Sequence, residues 1–234
     1  METQNSADRQ TLAYTDVERD LGIMIASNLK SEYQVTSAVT KANLALSTLK
    51  RTFKFWTPTI FRTLYTTFVR PHLEYAVSAW SPYLRRDIAL LEKVQRRATK
   101  LVKQFKGLDY NTRLENLNLT ALEDRRPRGD LIQYYKEYSG TNIINWHIAP
   151  TINTNNRTTR NTNPHCIARP PPAKCSQREQ FFTYRVIAPW NSLPHEIVES
   201  TSVNQFKNRL DKHLREEKPL QDEARKLGRI RMTD

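Results

Sequence analysis

Apolar residues that return every three or four positions constrain this chain more than any other feature. Val35, Ala38, Val39, Ala42, Ala45, Leu46, Leu49 and Phe53 follow that spacing without a break. At 100° per residue they share one face, so the stretch predicts a long amphipathic helix from Ser31 to about Lys54. Ser31 with Gln34 three residues on reads as a capping box. Thr57-Pro58 is a second start signal, with Thr as N-cap and Pro in the first turn. Ile60, Phe61, Leu64, Tyr65 and Phe68 continue the period. Pro71 breaks or kinks it, "HLEYAVSAW" resumes it, and Ser81-Pro82 punctuates.

The next stretch, "DIALLEKVQRRATKLVKQF" (Asp87 to Phe105), splits by charge as well as by hydropathy. Ile88, Leu91, Val94, Ala98, Leu101, Val102 and Phe105 fall on one side of a helix. Arg86, Lys93, Arg96, Arg97, Lys100 and Lys103 fall on the other. One side needs a core and the other suits an anion. Gly107 is the expected C-cap. Thr120 with Glu123 reads as another capping box, opening a helix to about Tyr138 that Gly140 ends. Arg125, Arg126 and Arg128 crowd its first turns, and Pro127 among them argues for a later start or a kink.

Composition enters through charge. The chain has 37 basic and 24 acidic residues among 234, a formal charge of +13. Because the excess is patterned along one helix, a polyanion is the expected partner. Only five glycines occur, and no glycine-rich phosphate loop or dinucleotide fingerprint is present. Cys166 and Cys175 make no disulfide framework, which fits a reducing intracellular compartment, nucleus and cytoplasm both open. No apolar run reaches membrane-spanning length, and "METQNSADRQ" lacks the apolar core of a signal peptide.

The ends differ from the middle. Leu21 to Ile25 reads as a short strand whose nearest partner is Leu12 to Val17, giving a small hairpin at best. From Trp146 to Arg178, Asn, Thr and Pro dominate, with five Lys/Arg and no Asp or Glu; extended or disordered chain is expected. "FFTYRVIAPWNSLPHEIV" is aromatic and must dock, with Trp190 as its anchor. Val203, Phe206, Leu210 and Leu214 give a last amphipathic helix, and the charged tail is expected to fray. The reading is therefore mainly α. Residues 1–30 carry a small N-terminal β element, 31–140 a helical bundle, 141–180 an extended basic segment and 181–234 a docking segment with a helix.

Six stretches stand in one order: "RDLGIMI", "KANLALSTLKRTF", "LYTTFVRPHLEYAVSAWSPY", "LLEKVQRRATKLV", "NLTALEDRRPRGDLI" and "RVIAPWNSLPHEIVESTSVNQFKNRLDKH". Together, over about Thr11 to His213, they resemble the region after the palm in the reverse transcriptases of LINE-type (non-LTR) retrotransposons. The resemblance implies that "DLGIMI" is the strand after the palm and that the bundle is thumb-like. It further implies that RNA, DNA or an RNA–DNA hybrid is gripped through phosphates. Lys93, Arg96, Arg97, Lys100 and Lys103, then Arg125, Arg126 and Arg128, are the expected phosphate contacts. The parent enzyme is an RNA-directed DNA polymerase using Mg2+ held by an aromatic-Ala-Asp-Asp turn. No Asp-Asp pair occurs in this chain, and two-metal chemistry needs clustered carboxylates. The implied reading is a truncated fragment without the catalytic palm, inactive alone, with no catalytic residue, metal site or cofactor of its own. The palm or a host protein is a further partner. A helical protein-interaction module derived from such an element is the alternative.

Other constellations carry less. Asp16, Glu18 and Asp20 alternate near the start, as metal-binding or as solvated edge residues. His165, Cys166 and Cys175 lack the paired spacing of a zinc site. His72 reads as a buried or interfacial histidine. Tyr65, Trp80 and Tyr83 can stack on bases but sit at core spacing. Arg125 to Asp130, "RRPRGD", reads equally as a phosphate clamp, a localisation patch or a solvated helix start.

Overall fold

The computed structural model describes residues 14–145, 150–152 and 165–230, and of 218–230 the backbone alone. It is mainly helical, with one small antiparallel sheet. Strands β1 (Val17–Asp20) and β2 (Ile23–Ala26) pair in the register Val17 to Ala26 and Asp20 to Ile23. Leu21 and Gly22 make the two-residue turn, both at positive φ (44° and 85°), the combination a right-twisted hairpin wants. The strand expected from Leu21 is thus a turn followed by β2. The Gln34 side chain holds the hairpin down, its Oε1 accepting the Met24 N–H at 2.9 Å. Gln34 is therefore not half of a capping box: Ser31 makes no side-chain cap on helix α1 (Glu32–Thr52).

The face expected on α1 is the one it buries: Val35, Ala38, Ala42, Leu46 and Leu49. Alanine at two of these positions lets other helices approach closely. Helix α2 (Pro58–Leu64) starts as expected, with Thr57 Oγ1 accepting the Ile60 N–H at 3.2 Å. It runs through a π-turn, Tyr65–Val69, into α3 (Arg70–Glu74). The wider turn answers Pro71, which has no N–H to give and whose ring would strike the carbonyl four residues back. Phe61 stacks on Tyr65 with centroids 5.5 Å apart. A short helix α4 (Val77–Trp80) and α5 (Arg85–Thr99) follow. Leu91, Val94 and Ala98 of α5 complete the first core against α1 and the π-turn.

Helices α6 (Tyr110–Asn116) and α7 (Leu122–Tyr138) come next, and α7 serves two cores. Its start, Leu122, belongs to the first. Leu131, Ile132, Tyr134 and Tyr135 belong to the second. Four buried residues in five positions cover more than one face, so this half of α7 is embedded. Pro127 lies inside the helix, in its second turn, and the start is not delayed. The expected capping box is absent: Ala121 is the N-cap, and the Leu122 N–H is taken by Glu92 Oε2 of α5 at 3.0 Å.

After α8 (Ser176–Glu179), which buries no residue, the second core is closed by α9 (Phe182–Arg185), α10 (Ile187–Asn191), α11 (His195–Val198) and α12 (Val203–Ile230). Trp190 is wholly buried, edge-on to Tyr134 at 4.7 Å, and donates from Nε1 to the His165 carbonyl at 2.9 Å. Tyr135 stacks on Phe206 with centroids 4.1 Å apart. Within the segment expected to be extended or disordered, residues 146–149 and 153–164 lie outside the described residues. Ile167 and Cys166 do not fit that expectation, because both are buried. The Asn191 side chain holds Ile167 as a strand would, accepting its N–H at 2.8 Å and donating to its carbonyl at 2.9 Å. Helix α12 runs to Ile230, through the tail expected to fray. Residues 1–10, the other expected loose end, lie outside the described residues.

The two halves meet on one guanidinium. Arg185 donates to both oxygens of Asp130 (2.8 and 3.0 Å), to the Ser78 carbonyl at 2.6 Å and to the Gln180 carbonyl at 2.8 Å. Both side chains are largely shielded. Removing one partner strands a buried charge: Asp130→Ala is expected to cost about 3–5 kcal/mol. The double change Asp130→Leu with Arg185→Met is expected to recover most of that loss. Urea unfolding of the two variants against wild type checks both values.

Candidate nucleic-acid interface

Helix α5 carries the basic ridge. Stepping 100° per residue, Lys93, Arg96, Arg97 and Lys100 fall within one arc of about 100°. All four are exposed, while Leu91, Val94 and Ala98 behind them are buried. The helix is shorter than its periodicity predicts. It ends at Thr99 with Lys100 as C-cap, not near Phe105, and Gly107 is not its cap. Val102 turns to extended backbone and a 3-10 turn, Lys103–Phe105, follows. Lys103 is exposed on that turn, at the end of the ridge rather than on the same helical face.

Arg113 accounts for the early stop. It is buried on α6, and its Nε donates to Thr99 Oγ1 at 3.1 Å while Nη1 donates to the Leu108 carbonyl at 2.7 Å. A charged fork satisfying the turn outweighs one more helical turn of the same sequence. Val102 remains buried and Leu101 and Phe105 half-buried, so the apolar pattern is honoured by a loop.

Behind the ridge lies a closed polar network. Gln95, wholly buried, accepts from the Tyr65 hydroxyl at 2.7 Å. It donates to the Tyr110 hydroxyl at 2.9 Å and the Thr120 carbonyl at 3.0 Å. Tyr110 in turn donates to Glu92. Burial, then the hydrogen bond to Glu92, raises the Tyr110 hydroxyl far above its ordinary pKa. The network joins α5 to the π-turn, α6 and the start of α7, and so fixes the direction of the ridge. The Arg96 guanidinium lies over the Tyr110 ring, 4.4 Å from its centroid, a contact that holds the cation without neutralising it.

Neutralisation separates the candidate residues. Among the described residues, Lys93, Arg96, Arg97, Lys100 and Lys103 have no carboxylate partner; Arg97 donates instead to Asn43 Oδ1 at 3.2 Å. Arg86 is held by Glu32 at 2.6 Å. The second predicted group does not present free cations. Arg125 forks onto Glu74, with Nη2 to Oε2 at 3.0 Å. Arg128 forks onto Asp211 of α12, with Nη2 to Oδ2 at 2.9 Å. Arg126 is buried, 6% exposed, and no strand can reach it. Arg125 and Arg128 are corrected from phosphate contacts to parts of the protein's own scaffold, and Arg126 to a buried residue lining a cleft between helices.

The remaining candidates are placed as follows. Tyr65 and Trp80 are core residues and Tyr83 is half-buried. His72 is exposed, which removes the buried alternative of its expected buried or interfacial placement. Glu18 and Asp20 lie on the exposed hairpin, with Asp16 just before it. Among the described residues no three His, Cys, Asp or Glu side chains gather as a metal site, and no helix is long and apolar enough to cross a membrane. Comparison of the chain with profiles of protein families, with curated proteins and with solved structures finds no match.

If Arg125 and Arg128 serve the scaffold, neutralising them acts on stability and not on polyanion binding. Arg128→Gln is expected to lower stability by up to about 1 kcal/mol, as suits a partly exposed pair. It is expected to leave the affinity for a nucleic acid within about twofold, since the released Asp211 charge lies on α12 and not on the ridge. Paired thermal melts and fluorescence anisotropy separate the two effects.

Proposed function

We propose that this chain is a nucleic-acid-binding, thumb-like region of a LINE-type reverse transcriptase. In this reading it holds RNA, DNA or an RNA–DNA hybrid through its phosphates. The single observation that supports it is a run of five neighbouring cations on one exposed edge, none of them paired with a carboxylate among the described residues. Arg70, Arg85, Arg86, Arg125, Arg128 and Arg185 all sit on carboxylates. Among the described residues, the five cations along the last turns of α5 and the turn after it sit on none. Left together on a rigid, solvent-facing edge, they form an uncompensated positive strip. Such a strip attracts a phosphate backbone by Coulomb force and counterion release and reads no bases. In this reading the bond-forming chemistry and its Mg2+ belong to the palm of the parent polymerase. The chain contributes grip, in a reducing compartment.

A second reading rests on a different observation. Phe55 is 83% exposed and Phe68 52%, with Leu44 at 66%. Large apolar side chains left in water suit a protein partner, either the palm or, in the interaction-module alternative, a host protein.

Salt decides between them. With four to five phosphates engaged, log K for duplex binding is expected to fall with log salt at a slope of about −4, roughly two orders of magnitude from 50 to 200 mM. Reversing Arg96, Arg97, Lys100 and Lys103 to Glu is expected to weaken binding by at least about a hundredfold. A flat salt response, or unchanged affinity in the reversed variant, overturns the phosphate grip. Primer extension with and without Mg2+ tests whether the chain polymerises by itself, and no extension is expected.

A further inference from the structure

Between α5, α7 and α9–α10 lies a cleft of about 410 Å³, a size that suits a small ligand. Its walls are mixed. Ile88, Leu131, Val186 and two prolines, Pro82 and Pro189, give apolar surface. Three arginines and two carboxylates supply charge: Arg85, Arg126 and Arg185 with Glu123 and Asp130.

Both carboxylates are already taken. Glu123 accepts from Arg85 at 3.1 Å, and Asp130 is forked by Arg185. Arg126 is the cation left over. It is 6% exposed, its Nη2 is buried with no hydrogen-bond partner, and among the described residues no carboxylate pairs with it. A guanidinium keeps its charge at neutral pH even when buried. An unsatisfied buried charge is costly, and the cost is recovered when an acceptor arrives.

We propose that this cleft binds a small organic monocarboxylate, a single carboxylate carried on a compact apolar body, with Arg126 as its anchor. The planar fork of Arg126 matches a carboxylate, and the apolar wall takes the body. Among the groups that line the cleft the cations outnumber the carboxylates by one, and with Glu92 and Glu74 also acting on Arg126 from behind, a ligand with a single negative charge fits better than one with two. A dianion such as phosphate would bring a second charge against Asp130 and Glu123 with nothing to meet it. The ridge lies roughly 7–18 Å further along α5 from Ile88, and its first cation, Lys93, points about 140° round the helix from Ile88. The site is therefore independent of the phosphate-grip reading.

Benzoate is the probe, titrated into the isotope-labelled full chain and followed by NMR at the amides of Arg126 and Val186 and at the Arg126 Nε–H. Saturable shifts confined to the cleft are expected. Benzamide, the same shape without the charge, and inorganic phosphate are each expected to bind at least about tenfold more weakly. Arg126→Gln, and Ile88→Trp, which fills the cleft with Arg126 intact, are expected to lose benzoate binding to a similar degree. Three results overturn the proposal: no saturable shift, benzamide or phosphate bound as tightly as benzoate, or shifts that track the α5 ridge. Should either variant fail to fold, the wild-type comparison of benzoate with benzamide decides by the same threshold.

Discussion

The buried contact between Arg185 and Asp130 is the interaction on which the arrangement turns. Four acceptors from three parts of the chain converge on one guanidinium: the Asp130 carboxylate on α7, the Ser78 carbonyl on α4 and the Gln180 carbonyl before α9. A bidentate fork fixes orientation as well as distance. It sets the aromatic C-terminal segment against the helical bundle in one pose, which hydrophobic contact alone does not specify. The same fork occupies Asp130, and this is what leaves Arg126 as the surplus charge in the cleft beside it.

Charge is sorted by partner in this protein, not by position along the chain. "RRATK" and "RRPRGD" look alike as runs of cations. In the fold, Arg125 and Arg128 lock α7 to Glu74 and Asp211, and Arg126 is buried along the wall of a cleft. The α5 run faces water, and among the described residues no carboxylate forms an ion pair with it. A cation spent in a fork adds little to the outer field, whereas an unpaired one adds its whole charge. The +13 of the whole chain therefore matters less than where compensation stops.

Polar residues on otherwise apolar faces were the informative exceptions. Gln95 falls at about 40° from Leu91 on the helical wheel, between Leu91 and Ile88 and so inside the apolar arc. A glutamine there signals a buried network, and Tyr65, Tyr110, Glu92 and Thr120 supply it. Gln34 does the same for the hairpin. Both are legible in principle, as breaks in a period, but apart from Glu92 their partners lie ten to thirty residues away and sequence spacing does not reveal them.

By itself the sequence determined the class of fold, the buried face of α1, the Thr57 cap, the anchoring role of Trp190 and the candidate residues of the α5 ridge. Each follows from local periodicity or backbone chemistry, which act over a few neighbouring residues. Only the tertiary structure decided where α5 stops, which carboxylate caps α7, and which arginines are consumed by Glu74, Asp211 and Asp130. Those outcomes depend on distances between segments far apart in the chain. Electrostatic pairing is settled by such distances, and a one-dimensional pattern carries charge without carrying separation.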